Sequence, residues 1–425
     1  MNVSHLKCSL CGAEYATQQV QYVCPKHGDT GLLDVIYDYE RIKSKTSPTA
    51  ISASLDNSIW RYWELLPIEV RAAIPNLRVG WTPLYHATEL GDELGLANFF
   101  LKDDGVNPTG SFKDRASAVV VAKAKELNIE VITAASSGNA GAALAGLAAS
   151  ARIPAVVFVP HNAPEAKVAQ LLIFGAHVFL VEGTYDQAFE LCLAATREFG
   201  WYSRNTGYNP YTVEGKKTAS FEICEQLTLA KTRRGKGWVA PDRIFVSVGD
   251  GNIITGIWKG LRDMLALGWI EKMPRLMGVQ AEGAAACYNA WKAGTDTITP
   301  VEAHTISDSI CVGIPRDGTR AVRAVRDTKG AFVTVSDDEV LDAMRKLARG
   351  AAVFAEPAGA TGYAGLLNAT RKGIIDLDEE IVVVVTGNGL KDVPSAVKAV
   401  GKAPLIEPTL EAVRRMMDRI GRRGL

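Results

Sequence analysis

A lysine stands where a turn leads into a helix, and this setting favours a nucleophilic amine. Residues 107–112 read Asn-Pro-Thr-Gly-Ser-Phe and are followed by Lys113. Proline and glycine fix such turns, and the apolar spacing of residues 115–127 indicates a helix. The positive end of a helix disfavours an ammonium group, so we expect a lowered pKa and a reactive amine at Lys113. The alternative is a surface lysine at a helix start.

Three further segments follow β-rich runs and carry small or polar residues. Residues 136–141 follow the run 131–133, and their small side chains let backbone amides approach a carboxylate or a phosphate. Residues 248–252, Val-Gly-Asp-Gly-Asn, offer a second anion site of the same kind, although a tight turn without a ligand has a similar pattern. Thr386 follows the apolar run 381–385, and its hydroxyl can hydrogen-bond a neutral ring nitrogen.

The N-terminal region carries four metal-ligand residue types at the spacing of a zinc knuckle. Cys8 and Cys11 are separated by two residues, as are Cys24 and His27. Four protein ligands leave no open position, so this pattern predicts a structural zinc rather than a catalytic one. The alternative is a pair of reduced cysteines with an exposed histidine.

The elements that must position these residues alternate between strands and helices. The predicted strands are 98–101, 131–133, 155–159, 177–181, 243–248, 276–280, 332–335 and 381–385. The predicted helices are 115–127, 140–150, 186–199, 252–267, 337–349 and 358–368. This alternation predicts an α/β fold with open, mostly parallel sheets covered by helices, and ligands bind beyond the carboxyl ends of such strands.

Length and charge narrow the class of partner. A chain of 425 residues exceeds the size of one core, so two domains are expected. Lys+Arg and Asp+Glu balance at 47 each, which points away from nucleic acid and towards a small-molecule ligand. The first seven residues lack the apolar run of a signal peptide, and charge or glycine interrupts the apolar stretches. We therefore expect a cytoplasmic protein without a membrane span.

Several motifs together resemble the threonine synthase family of fold-type II enzymes that use pyridoxal 5'-phosphate (PLP). The segment 107–115, Asn-Pro-Thr-Gly-Ser-Phe-Lys-Asp-Arg, is similar to the Schiff-base motif of that family. In the same order along the chain follow Ser-Ser-Gly-Asn at 136–139, Glu-Gly-x-Lys-Thr at 214–218, Gly-Val-Gln-Ala-Glu-Gly at 278–283 and Thr-Gly-x-Gly-Leu-Lys at 386–391. The resemblance runs from about Gly80 to Asp392.

The resemblance implies a role for each matched residue. Lys113 would hold PLP as a Schiff base and act as general acid and base, with Phe112 beside it, and Asn139 would bind the 3-hydroxyl of the cofactor. The substrate α-carboxylate would be held by the amides of the first loop, in the segment Ser136, Ser137, Gly138, Asn139 and Ala140. The cofactor phosphate would be held by Gly249, Asp250, Gly251, Asn252 and Ile253, and the pyridine nitrogen by Thr386.

The resemblance also implies a domain plan and an assembly. Residues 1–35 would form a zinc-ribbon-like arm, and residues 36–115 with 212–425 would form the large PLP-binding domain. Residues 116–211 would form a small inserted α/β domain. Enzymes of this fold type are commonly dimers, so a homodimer is expected.

Three positions depart from the family pattern for a phosphorylated substrate. Family members that use O-phosphohomoserine have a segment similar to Asn-Ser-x-Asn-Pro-x-Arg-x-Glu-Gly-Gln-Lys-Thr, whereas here Thr206-Gly207 occupies the Asn-Ser positions and Thr212 the Arg position. Threonine cannot replace a bidentate arginine at a dianion. Arg316 could supply a different cation, or it could be a solvent-facing loop residue. Asp250 stands where the family usually has a neutral residue.

Two reactions therefore stay open at the level of sequence. The first is a threonine synthase-like carbon-oxygen lyase that deprotonates Cα of an amino acid, expels a side-chain leaving group and adds water or another nucleophile. The second is a β-eliminating ammonia-lyase or β-replacement enzyme that resembles threonine and serine dehydratases. A non-catalytic PLP-binding homologue is a third class.

Overall fold

One mostly parallel sheet, one parallel sheet and one small antiparallel sheet form the framework of the chain. The computed structural model describes residues 2–136, 138–161, 163, 165–231 and 237–420. The strands are β1 Val3–Cys8, β2 Glu14–Tyr15, β3 Leu33–Tyr37, β4 Leu84–His86, β5 Phe99–Asp103, β6 Ile132–Ala135, β7 Ala155–Pro160, β8 His177–Val181, β9 Tyr202–Ser203, β10 Arg243–Ser247, β11 Arg275–Ala281, β12 Ala331–Val335 and β13 Ile381–Val385.

Helices separate most of these strands, as the alternating pattern predicts. They are α1 Tyr39–Lys45, α2 Pro48–Ser52, α3 Thr88–Leu94, α4 Lys113–Glu126, α5 Asn139–Ala151, α6 Glu165–Ile173, α7 Tyr185–Phe199, α8 Tyr211–Lys216, α9 Thr218–Ala230, α10 Asn252–Leu267, α11 Ala286–Lys292, α12 Gly318–Asp327, α13 Asp337–Ala351, α14 Pro357–Arg371, α15 Val393–Val400 and α16 Leu410–Ile420. Each predicted strand and helix is present, with ends displaced by a few residues, and the predicted α/β class is confirmed.

The larger sheet has the strand order β12-β11-β10-β13-β5-β4. Its neighbours pair in parallel except at the edge, where β4 is antiparallel to β5. Strand β13 consists of isoleucine and valine, and all five of its side chains are fully buried. Helices cover both faces of a sheet with such a central strand, because a strand that is apolar on both sides needs two apolar partners.

The smaller sheet has the order β8-β7-β6-β9 and is parallel throughout. Its strands lie between residues 132 and 203. The short strand β9 ends directly before Arg204, and β6 ends directly before Ser136. Parallel pairing places both of these strand ends at the same edge of the sheet. The predicted domain limits, at residues 115 and 211, stay a prediction.

The N-terminal arm is a three-stranded antiparallel sheet with the order β2-β1-β3. It is tied to α12, where Arg320 Nη1 lies 2.7 Å from Asp34 Oδ1 and Arg323 Nη1 donates to the carbonyl of Ser9 at 2.8 Å. The hydroxyl of Tyr37 also donates to a carboxylate oxygen of Glu214 at 2.6 Å. These contacts fix the arm against the helices that surround the larger sheet.

A buried ion network holds the start of α4 in place. Arg115, two residues after Lys113, donates from Nε to Asp104 at 2.6 Å and from Nη1 to Glu222 at 2.6 Å. A second pair of bonds joins Arg115 Nη2 to both carboxylates at 2.8 Å. All three side chains are fully buried, and such bidentate pairs fix geometry strongly.

In the described part of the chain, the helices lack the combination of length and apolar character needed to cross a membrane.

Candidate active site

The turn before Lys113 is hydrogen-bonded to the loop that follows β13. The amide of Phe112 donates to the carbonyl of Thr386 at 2.9 Å, and the amide of Asn388 donates to the carbonyl of Gly110 at 3.0 Å. Thr386 is buried at the carboxyl end of the central strand. These backbone bonds bring the lysine and the threonine, predicted from separate motifs, to one place.

Asn139 begins α5 and reaches the same place from the smaller sheet. Its Nδ2 donates to Glu356 Oε1 at 2.6 Å and lies 3.4 Å from Ser309 Oγ. Burial raises the pKa of Glu356, although the hydrogen bond from Asn139 and nearby lysines act in the opposite direction. The acceptor at Glu356 fixes which way the Asn139 amide points.

Residues 249–253, which we call the predicted phosphate loop, line one cavity together with these groups. Its lining includes Lys113, Asn139, Lys216, Gly249, Asp250, Gly251, Asn252, Ile253, Glu356 and Thr386. Each residue predicted to bind the cofactor lines this cavity except Phe112, whose fully buried side chain lies before Lys113. The roles assigned to these residues stay predictions.

Two glycines give the phosphate loop its shape, and the loop fits an anion such as the phosphate of PLP. A Cβ atom on Gly249 would lie 2.9 Å from Ile310 Cα, and one on Gly251 would lie 2.7 Å from Ala321 Cβ. Gly251 also has a φ of +90°, which side chains rarely adopt. Helix α10 begins directly afterwards, and the first amides of a helix have no intrahelical acceptor, so they are available to a phosphate.

The amine of Lys113 lies in an environment that disfavours its charge. Burial, followed by the positive charge of Arg204, lowers its pKa, while Glu356 and Asp250 act in the opposite direction. A lysine with a lowered pKa has more of the neutral amine that attacks a carbonyl or accepts a proton. The sequence predicts this direction from the helix start, and the structure adds burial as the main cause.

A second cavity, of about 350 Å³, opens from the same lysine. Its lining includes Lys113, Ser136, Gly138, Asn139, Ala140, Tyr185, Arg204, Thr206 and Asp250. Four of the residues predicted to bind the substrate carboxylate therefore lie beside Lys113, while Ser137 lies outside the described residues. Lys113 lines both cavities, so a group bound in either one can meet its amine.

Arg204 is a cation in the second cavity that sequence reasoning missed. Its side chain is fully buried, Nε donates to Ser117 Oγ at 3.1 Å, and Nη1 donates to Thr206 Oγ1 at 2.9 Å. Its Nη2 has no hydrogen-bond partner among the described residues. Burial lowers the pKa of Arg204 to about 10, so the group stays charged at neutral pH. A buried, unpaired guanidinium N–H is costly unless an anion binds it.

The two other residues predicted to contact the substrate contact protein groups instead, and Thr212 Oγ1 also lies 3.4 Å from Asn252 Oδ1. The hydroxyl of Thr212 donates to the carbonyl of Asn209 at 2.8 Å and is fully buried in α8. The Arg316 guanidinium contacts Asp186 at 2.7 Å and lies over the ring of Phe189. Within the described residues, neither Thr212 nor Arg316 lines the two cavities next to Lys113.

The four predicted metal ligands come together in the arm. One ligand atom from each of Cys8, Cys11, Cys24 and His27 lies within 4.8 Å of the others. Gly31 packs directly against two of these ligands: a Cβ there would lie 2.8 Å from Cys24 Cβ and 2.9 Å from His27 Cβ. The absence of a side chain at Gly31 lets the backbone lie this close to Cys24 and His27. Three sulfurs and one imidazole at this spacing fit a closed tetrahedral zinc site.

Two missed residues, Arg204 and Lys216, carried weak signals in the sequence. Arg204 follows a two-residue strand that is too short to give a period-2 pattern. Lys216 stands at the variable position of the Glu-Gly-x-Lys-Thr element. Its sequence context does not distinguish it from any other polar residue of a short helix. A cation directly after a β-rich run is the one local sign available for Arg204, because strand ends meet at the ligand-binding edge.

Comparison with known proteins agrees with this geometry. The family described as "Pyridoxal-phosphate dependent enzyme" matches residues 76–387. A threonine synthase of Methanocaldococcus jannaschii is 37% identical over 416 residues, which is 97% of this chain and 99% of that protein. A threonine synthase of Methanosarcina acetivorans is 39% identical over 412 residues, 96% of this chain and 98% of that protein.

Solved structures show the same fold at lower identity. The processed form of threonine deaminase isoform 2 from Solanum lycopersicum has a TM-score of 0.63 at 22% identity, covering 76% of this chain and 88% of that one. Diaminopropionate ammonia lyase from Escherichia coli has a TM-score of 0.65 at 19% identity, covering 78% and 89%. The family match and these relatives show that the chain belongs to the threonine synthase family of fold-type II, pyridoxal-phosphate-dependent enzymes.

Proposed function

We propose that this PLP-dependent lyase acts on an amino acid whose side chain ends in an acidic group, by elimination followed by hydration or replacement. The observation that carries the proposal is Arg204, which lines the cavity next to Lys113 and whose buried Nη2 has no hydrogen-bond partner among the described residues. A buried guanidinium recognises a carboxylate or phosphate in preference to a neutral group. The threonine synthases that are 37–39% identical to this chain support the same reaction class.

Different residues would bind the substrate and move the proton. The amides at Gly138–Ala140 bind the α-carboxylate, and Arg204 holds the acidic end of the side chain. The neutral amine of Lys113 accepts the proton from Cα, since its lowered pKa leaves the lone pair free. The conjugated ring of PLP supplies the electron sink for that step. For a leaving group on Cβ, the electron pair released at Cα forms the Cα–Cβ double bond as the bond from Cβ to the leaving group breaks, and the leaving group departs with that bond's electron pair. A leaving group on Cγ, as in O-phosphohomoserine, departs only after a proton has also been removed from Cβ.

Thr212 provides no positive charge for an acidic substrate group. Thr212 donates its hydroxyl to Asn209 and supplies no charge, so Arg204 would bind the acidic group without the arginine of the family pattern. This observation favours a second candidate, the β-eliminating ammonia-lyase or β-replacement enzyme for a hydroxy or acidic amino acid. Elimination requires Lys113 and the electron sink but no grip on a dianion.

Product analysis with the purified holoenzyme tests the proposal. O-Phosphohomoserine, O-phosphoserine, serine and threonine are supplied in turn, and phosphate, ammonia and amino-acid products are measured. Phosphate release with threonine from O-phosphohomoserine supports the synthase reaction. Ammonia and a keto acid from serine or threonine, with no turnover of either phosphorylated amino acid, would replace the first proposal with the second.

Two expectations about the surroundings of the protein belong to the proposal as well. We propose a homodimer, which sedimentation of the full chain tests directly. A cytoplasmic location stays a prediction that microscopy of the tagged protein can check.

A further inference from the structure

A second lysine, Lys216, lies beside the phosphate cradle and is not used in the reaction above. It ends α8, its side chain is fully buried, and it lines the same cavity as Lys113 and the loop from Gly249 to Ile253. Helix α8 can approach α10 this closely because Gly256 lacks a side chain: a Cβ there would lie 2.5 Å from Lys216 Cβ. The glycine thus permits the lysine to reach the first turn of α10.

The hydrogen bonds around Asn252 fix the direction of the Lys216 ammonium. Asn252 Nδ2 donates to Asp317 Oδ2 at 2.6 Å, and Asp317 is held by Arg320 Nε at 2.6 Å and Nη2 at 3.0 Å. A carboxylate only accepts, so the other amide atom, Oδ1, must face Lys216, whose Nζ donates to it. Among the described residues, Lys216 Nζ makes this one hydrogen bond. An ammonium has three N–H donors, so two of them stay available for a ligand.

The charges of the basic side chains near the predicted phosphate loop favour an anion there. Burial, and then the charges of Arg204 and Lys113, lower the pKa of Lys216 well below its usual range, while Asp317 and Asp250 act in the opposite direction. Lys113 and Lys216 line one cavity together with the carboxyl groups of Asp250 and Glu356, and Arg204 lines the adjoining cavity, which also reaches Lys113 and Asp250. A phosphate beside Lys216 and Lys113 relieves the repulsion between these cations, whereas the acidic groups without a cation would repel it.

We propose that Lys216 is a direct ligand of the cofactor phosphate, and that it offsets the negative charge that Asp250 places in the phosphate loop. The backbone amides at the start of α10 supply the remaining donors. Lys216 would thus add a side-chain cation to a loop whose other donors are backbone amides. This role concerns cofactor binding and does not depend on which substrate the protein uses.

Comparing PLP with pyridoxal, which lacks the phosphate, tests the proposal without turnover. The apoprotein and its Lys216→Gln variant are titrated with each compound, and the two dissociation constants are measured by absorbance. We expect the ratio of pyridoxal to PLP dissociation constants to fall by roughly 10- to 100-fold in Lys216→Gln, as loss of one charge-assisted hydrogen bond predicts. An unchanged ratio would overturn the proposal, even if both affinities fall.

A matched control and a second measurement separate binding from folding. Lys217→Gln removes the adjacent buried lysine, whose Nζ lies 2.8 Å from Asp263, so it should shift both affinities together and leave the ratio unchanged. If Lys216→Gln does not fold, a crystal structure of the wild-type holoenzyme decides. Lys216 Nζ within hydrogen-bond distance of a phosphate oxygen supports the proposal, and a separation beyond 4 Å, roughly the limit of an ion pair, overturns it.

Discussion

The amide of Phe112 donates a hydrogen bond of 2.9 Å to the carbonyl of Thr386, and this bond joins the turn before Lys113 to the end of the central strand. The position of Lys113 is therefore set by β13 as well as by its own helix. A lysine on α4 alone could shift with that helix. Because Arg115 also ties α4 to Asp104 and Glu222, both sides of Lys113 are fixed.

Replacing Lys113 should abolish the reaction while leaving the fold in place. We expect Lys113→Ala to lower kcat by roughly 100- to 10,000-fold, the range for loss of a positioned acid and base, and to change the absorbance of the bound cofactor. Lys43→Ala, at an exposed lysine that pairs with Glu40, is the control and should keep wild-type activity. Turnover by Lys113→Ala within tenfold of wild type would contradict the assignment.

Removing the charge of Arg204 should weaken the use of acidic substrates. We expect Arg204→Gln to lower kcat/KM for the preferred acidic amino acid by roughly 10- to 100-fold, because a charge-assisted hydrogen bond is lost. Arg316→Gln is the control, since Arg316 contacts Asp186 instead of the cavity. Steady-state kinetics with both variants checks this, and an equal loss in the two variants would argue against a specific role for Arg204.

The glycine at position 251 should be essential for cofactor binding. Alanine there meets Ala321 Cβ at 2.7 Å and must adopt a φ of +90°, so we expect Gly251→Ala to weaken PLP binding by more than roughly tenfold. Gly175→Ala is a matched control, with a φ of +82° and no atom within 4 Å of the added Cβ. It should cost about 1 kcal/mol of stability and leave PLP affinity unchanged. Equal PLP affinity of the two variants would show that the loop has room to adapt.

The arm should contain zinc and depend on it. Metal analysis of the purified protein is expected to give one zinc per chain, and Cys24→Ser should lose it, because one of four ligands is removed. Cys311→Ser, outside the cluster, should keep the metal. Chelation should lower Tm, since the arm is tied to α12 through Arg320 and Asp34. A metal-free protein with the same Tm after chelation would exclude a structural zinc.

The buried network at Glu222 should make stability fall in acid. Burial alone would raise the pKa of Glu222, but the charges of Arg115 and Lys102 lower it from the ordinary 4.5 to about 2. A lowered carboxyl pKa contributes stability that is complete above the unfolded value and is lost as pH falls from about 4.5 towards 2. Chemical denaturation between pH 6 and pH 3 should show this loss, and Glu222→Gln should be destabilised by about 3–5 kcal/mol at pH 7 with a flatter acid profile. A wild-type acid profile in Glu222→Gln would assign the loss to other carboxyl groups.

Much of this protein follows from local sequence. The alternation of β-rich runs and helical periods determines the parallel sheets, because each element buries a face set by its own residue spacing. The turn before Lys113, the glycines of the phosphate loop and the hydroxyl after β13 are local features too. The spacing within each of the pairs Cys8–Cys11 and Cys24–His27 is local as well, and it predicts the cluster of possible metal ligands.

Tertiary structure decided which charges are buried and which are paired. Arg204 and Lys216 become cavity residues because elements far apart in the chain enclose them, and a single sequence contains no signal for that enclosure. The sequence offers Arg316 as a candidate cation for the substrate, but folding brings Asp186 of α7 within 2.7 Å of its guanidinium. Burial and pairing depend on long-range packing, whereas turns, helix starts and strand patterns depend on neighbouring residues.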